Sequence, residues 1–167
     1  MRYPIIAFLL FCSFNLLGQS QTTEDLHKKH SGARAYFFYH NTLRMINQSE
    51  DKDFDALIKD IKKMKFLMID QTTFNTAAYK SLIGSYKKES FEEIMTSRFE
   101  GKNIDVLLKE IQGKTEGMIL TVSDGKSLFV LDIVGSIALD KVTSFLTTFQ
   151  KSSDVDEKIK QFLNPDK

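Results

Sequence analysis

Apolar and polar positions change period along this chain, and the changes mark its elements. Residues 23–31 carry a short amphipathic pattern. Thr23 can cap a helix, Glu24 and Asp25 suit its positive end, and Gly32 can terminate it. Residues 34–40 alternate, with Ala35, Phe37 and Tyr39 on one face and Tyr36, Phe38 and His40 on the other. Both faces are aromatic, which predicts a central strand covered on both sides. A helical turn is expected around residues 42–46. Residues 54–64 then recur with helical spacing. Phe54, Leu57, Ile58 and Ile61 form one stripe, with Lys59, Asp60, Lys62 and Lys63 mostly opposite and Asp53 as a cap. Residues 65–70 read as a short apolar strand. Residues 74–88 read as a second amphipathic helix, with Phe74, Ala77, Ala78, Leu82 and Ser85 on its inner stripe.

The period then shortens. Residues 91–99, 104–111, 117–123 and 126–134 read as four successive strands. Asp124-Gly125 between two apolar runs predicts a two-residue type I′ hairpin, whose turn residues need positive φ. That turn would set Leu120 opposite Phe129 and Met118 opposite Leu131 on one face. Ile119 would oppose Val130, and Thr121 would oppose Leu128, on the other. Helical spacing returns at Leu139, Val142, Phe145, Leu146 and Phe149. A last amphipathic segment holds Val155, Ile159, Phe162 and Leu163. Alternating elements followed by consecutive strands predict an α+β fold, a mainly antiparallel sheet of about five or six strands with helices packed on one face. No internal repeat or Pro/Gly linker divides residues 21–167, so a single α+β domain is expected.

The N-terminus has a different character. Arg2 precedes an apolar run from Pro4 to Leu17, broken by Ser13 and Asn15. Gly18 and Ser20 then supply small residues at −3 and −1 of a cut before Gln21. This predicts a signal peptide over residues 1–20 and an exported protein, periplasmic or secreted. The run is too short to span a membrane, which takes roughly 20 apolar residues. No transmembrane segment is therefore expected after cleavage. Cys12 follows Phe11 inside the apolar run, with no small residue before it, so it does not mark a lipoprotein. It is the sole cysteine, and the mature chain has none for disulfides. Arg2 is the one charged residue in the leader, which leaves 22 basic against 22 acidic residues after cleavage. That balance lacks the basic excess that nucleic acid demands.

The layout of a signal peptide, a short charged helix, the aromatic strand 34–40, the apolar segment 55–61 and a run of hairpins closing on residues 134–140 resembles a known family. It is similar to the Bacteroidetes family called domain of unknown function 4252, over roughly residues 24–150. The resemblance implies a cell-envelope protein from a Bacteroidetes-type bacterium. It implies no activity and no functional residue.

Several residues invite chemistry. His27 and His30 share a helix face with Glu24 one turn earlier, a ligand set suited to a borderline metal. Structural sites usually need four ligands, and a solvated helix explains the same residues. Gly113-Lys114-Thr115 and Gly125-Lys126-Ser127 match the end of a phosphate loop. The first glycine of that motif would fall at Leu108 or Leu120, and a hairpin tip is the wrong context. No G-x-S-x-G elbow frames a serine near His40. Asp132 is a lone acid in an apolar strand. A dispersed hydrolase would bring together two or more of His40, Asp70, Glu93 and Asp132 in a cavity.

No catalytic residue and no cofactor is assigned. The composition favours a non-enzymatic module that binds an envelope protein or a small ligand, with a homodimer as one arrangement. Its interaction face is expected on the second face of the sheet, at Ile119, Thr121, Leu128, Val130 and Asp132. The alternatives are a periplasmic hydrolase and a metal-binding protein acting through the N-terminal helix.

Overall fold

The structure is a computed structural model that describes residues 18–46, 52–70, 75–99, 101–124 and 126–136. Ten elements follow one another: α1 (Gln21–Lys29), β1 (Arg34–Tyr39), α2 (His40–Ile46), α3 (Lys52–Ile58), β2 (Ile61–Asp70), α4 (Thr76–Lys88), β3 (Glu92–Phe99), β4 (Lys102–Ile111), β5 (Lys114–Ser123) and β6 (Ser127–Gly135). The six strands form one sheet in the order β1-β2-β6-β5-β4-β3, and every neighbouring pair is antiparallel. The α+β class and the antiparallel sheet are as the sequence predicts. The helical segments expected at 139–149 and 155–163 lie outside the described residues, as do Phe74 and the leader before residue 18.

Alternation along the strands builds two apolar layers. One joins Leu67 and Ile69 of β2, Leu107 of β4, Ile119 of β5, and Leu128 and Val130 of β6. Leu26 of α1 and Tyr79, Leu82, Ile83 and Tyr86 of α4 cover it. Leu67, Leu107, Ile119 and Val130 are fully buried, and each such side chain contributes about 1.5–3 kcal/mol of transfer free energy. The opposite layer holds Met64, Phe66, Met68, Val106, Met118, Leu120, Leu131 and Ile133, joined by Leu43 of α2 and Ile58 of α3. Helical residues therefore reach both faces of the sheet, where the sequence places them on one.

Four further expectations change. Residues 61–64 are strand, not helix: β2 starts at Ile61, and pairs with β6 from Ile61 to Asp70 and with β1 from Lys63 to Met68. Two ladders of tertiary hydrogen bonds outweigh a helical periodicity that rests on one residue, Ile61. Second, β1 is an edge strand, with Phe37 and Tyr39 exposed, rather than a central one. Third, the buried stripe of α4 is Tyr79, Leu82, Ile83 and Tyr86, while Ala77 and Ser85 are not buried. Fourth, Ser123 pairs with Leu128, Leu120 with Leu131 and Met118 with Ile133, two residues beyond the predicted register. Asp124 sets this offset. Its carboxylate accepts from the backbone N–H of Lys126 at 2.9 Å and of Ser127 at 2.7 Å, so it acts as the side-chain brace of the turn. The positive-φ pair that a type I′ turn needs occurs instead at Gln112 (52°) and Gly113 (74°), between β4 and β5. An even offset preserves the faces, so the predicted sidedness of β5 and β6 holds.

At the end of β6 the backbone comes against the start of β2. Gly135 has φ of 119°, and a Cβ there would stand 2.2 Å from the Asp60 carbonyl oxygen. Neither the conformation nor the space admits a side chain. Gly135→Ala is expected to destabilise the fold by about 2–4 kcal/mol, read as a lowered midpoint in urea. An unchanged midpoint would show that this junction tolerates a side chain.

Candidate functional site

The titratable chemistry of the sheet lies under α1 and α4. Lys65 of β2 is paired with Asp132 of β6 on one side and with Phe37 of β1 on the other. All three side chains share a face. Lys65 is fully buried and Asp132 is 1 % exposed. α1 supplies the partners that such groups require. Glu24 brings a carboxylate oxygen 3.0 Å from the Lys65 ammonium, in an approach not aligned as a hydrogen bond. The ammonium also lies 5.2 Å from the centre of the Phe37 ring, close enough for cation–π attraction. Asp132 accepts the backbone N–H of Ser20 at 2.9 Å and a hydrogen bond from the Thr23 side chain. Thr23 in turn meets the Tyr86 hydroxyl at 3.0 Å.

The N-terminus of α1 closes the same cluster. An α-helix leaves its first four N–H groups without internal partners. Here Gln21 and Thr22 donate to the Glu89 carboxylate at 3.0 and 2.6 Å. Thr23 N–H donates to the Ser20 hydroxyl at 3.3 Å, and Glu24 N–H to the Ser20 carbonyl at 3.1 Å. The cap is Ser20, not Thr23 as the sequence suggests. Glu89 follows the last turn of α4, so this carboxylate locks α4 to α1.

A second buried chain runs along β4 and β5. The Tyr79 hydroxyl donates to Asp105 and meets the Thr121 hydroxyl at 2.7 Å. Asp105 also accepts from the Thr96 hydroxyl at 2.8 Å. That hydroxyl, with one proton, lies between Asp105 and Glu93, and Glu93 pairs with Lys87. Burial raises both Tyr79 and Tyr86 far above the usual phenol range. Neither is a proton donor or nucleophile near neutral pH. Lys87, followed by Thr96, holds Glu93 below the usual carboxylate range.

A family model described as a domain of unknown function (DUF4252) matches residues 39–145. The chain belongs to this family. No curated protein and no solved structure matches it. The matched span contains Lys65, Asp105 and Asp132, while α1, which answers the Lys65 and Asp132 charges, precedes it.

The DUF4252 sheet does not assemble the residues expected for hydrolysis. His40 opens α2, and its Nδ1 lies 3.0 Å from the Ile61 carbonyl, at the start of β2. Asp70 ends β2, is exposed, and pairs with Arg34 at 2.8 Å. A ten-residue strand separates these two by roughly 30 Å. Glu93 lies on β3, four strands away from β2 and thus roughly 19 Å across the sheet. The metal candidates have other neighbours. Glu24 faces Lys65, and the His27 ring sits 6.3 Å from that of Phe37. Burial, with Lys29 next, lowers His30. Among the described residues no three His, Asp, Glu or Cys side chains group to hold a metal ion.

The interaction face predicted at Ile119, Thr121, Leu128, Val130 and Asp132 is corrected. All five are at most 1 % exposed, because α1 and α4 lie over them. Sequence reasoning missed Lys65, Asp105, Tyr79, Tyr86, Ser20 and Glu89. The available signal was Lys65 and Asp105, each a lone charge inside an apolar strand. Tyrosine on a helix reads as amphipathic, and only packing shows that its hydroxyl has a buried acceptor.

Burial raises Asp132 to about 7. Thr23, Ser20 N–H and Lys65 pull it down, and Glu89 pushes it up. A raised carboxyl binds its proton more tightly folded than unfolded. The stabilisation from that proton is complete below about pH 4 and is lost as pH rises to about 7. His30, lowered in the fold, gives the opposite slope, so the parent must be compared with Asp132→Asn. Their difference in unfolding free energy is expected to shift against the parent between pH 4 and 7, by at most about 4 kcal/mol. Urea melts across that range measure it. A constant difference would mean that Asp132 does not titrate there.

Proposed function

We propose that this DUF4252 protein is an exported cell-envelope protein of a Bacteroidetes-type bacterium. In this reading it is a non-enzymatic binding module whose partner is another envelope protein or a small ligand. The apolar leader segment supports export. One observation carries the binding reading: the titratable groups beneath α1 and α4 are engaged in closed buried networks, while large apolar side chains stand in solvent on the β1 side. Phe37 is 47 % exposed, Tyr39 60 % and Met45 of α2 75 %. β1 is also an edge strand among the described strands, and a sheet edge flanked by aromatic side chains is a recurring mode of peptide recognition. The dispersed hydrolase draws no support from the geometry, since its four residues are separated along and across the sheet.

The test is native mass spectrometry on the protein purified gently from its own host. The parent is expected to carry an added mass, either a second polypeptide or a small molecule. The double variant Tyr39→Asp/Met45→Asp, which alters exposed positions only, is expected to retain less than about a tenth of it, the loss of a contact worth roughly 1.4 kcal/mol or more. Equal retention would remove the β1 side as the contact surface. A bare chain in the parent would count against the binding reading itself.

A further inference from the structure

Ser20 is built into the fold, although the small-residue pattern before Gln21 assigns it to the discarded leader. It is 5 % exposed. Its backbone N–H donates to Asp132 at 2.9 Å, its hydroxyl donates to Glu89 at 3.1 Å, and its hydroxyl and carbonyl accept from Thr23 and Glu24. One residue thus closes an open N–H group of α1, accepts the first helical bond of that helix and gives buried Asp132 its backbone donor. Cleavage after Ser20 would remove all of these contacts. The new Gln21 amine would keep only the Glu89 contact that its nitrogen already makes, and Asp132 would be left with fewer donors inside the fold.

We infer that the leader is removed between Gly18 and Gln19, so that Ser20 stays on the mature chain. This rests on the export reading above. The reaction is hydrolysis by a leader peptidase of the exporting membrane. The carbonyl carbon of Gly18 gains the oxygen of water and becomes a carboxylate. The Gly18–Gln19 C–N bond breaks, and Gln19 departs with an α-ammonium group. Leader peptidases need a small residue at −1. Among residues 14–19 Gly18 alone meets that need, because the others are Phe14, Asn15, Leu16, Leu17 and Gln19. Gly18 is also exposed, whereas Ser20 is buried. Leu16 then stands at −3 in place of a small residue, and the contacts of Ser20 decide between the two cuts.

Intact mass and N-terminal sequencing of the protein purified from its own host test the inference. The expected chain begins at Gln19, either as the free amine or closed to a lactam with loss of one ammonia. A chain beginning at Gln21 overturns the inference and leaves export standing. A chain still beginning at Met1 overturns the export reading itself. Gly18→Leu, expressed in the same host, is expected to accumulate as precursor. Its processing at the parental rate would also overturn the proposed cut.

Discussion

Lys65 and Asp132 stand side by side in the middle of a buried sheet face, and neither can be left there alone. Removing an ion from water costs several kcal/mol, which attraction to a neighbour offsets only when further polar partners are present. The sheet supplies one opposite charge for each ion and little else. α1 supplies the rest: Glu24 for the ammonium, and Ser20 and Thr23 for the carboxyl. The position and rotation of α1 are thus dictated from below, by charges in the strands. Glu89 extends the constraint to α4 by holding the same helix start. The two helices on this face form one lid because one cluster of polar groups needs both.

The same pair gives the sheet its pairing specificity. A slip of one residue between β2 and β6 would turn Leu67 and Ile69 to the wrong face. A slip of two would keep the faces but set Lys65 against Val130 or Val134. Lys65 and Asp132 would then no longer be cross-strand neighbours under the same α1 residues. The two-residue period therefore fixes the parity of the register, and the placement of these two polar groups favours its value. On the far side Asp105 does similar work, tying Tyr79 of α4 to β4 and to Thr96 of β3. Asp132, Asp105 and Glu93 are each engaged in placing a helix or a strand.

Much of this fold was legible in the chain. Apolar runs bounded by turn residues located β4, β5 and β6, and the two-residue period of a strand sorted their faces. Positions decided by tertiary neighbours were not legible. Ile61 satisfies a helical period locally, yet its backbone is claimed by β6. Phe37 and Tyr39 look like core residues by composition, and only the strand order shows that no described strand pairs beyond them. Asp124 predicts a turn through its backbone preferences, while its side chain also braces that turn by accepting from the amides of Lys126 and Ser127. The polar cluster was the least visible part. A lone lysine in an apolar strand predicts a buried charge, but its partners arrive from Glu24 and Asp132, far apart in sequence.

The strand order also bears on how such a chain is made. β2 lies between β1 and β6, so Ile69 must wait for Leu128 and Ile61 for Gly135. A chain delivered from its N-terminus displays Phe66, Leu67 and Ile69 long before their covering strand arrives. Non-local pairing of this kind slows folding and leaves apolar edges open to wrong partners. The β3–β6 meander pairs neighbours in sequence, as do β1 and β2, and the two halves of the sheet meet only along β2 and β6. The β2–β6 seam is therefore the one pairing of the described strands that needs both the earlier and the later half of the sheet.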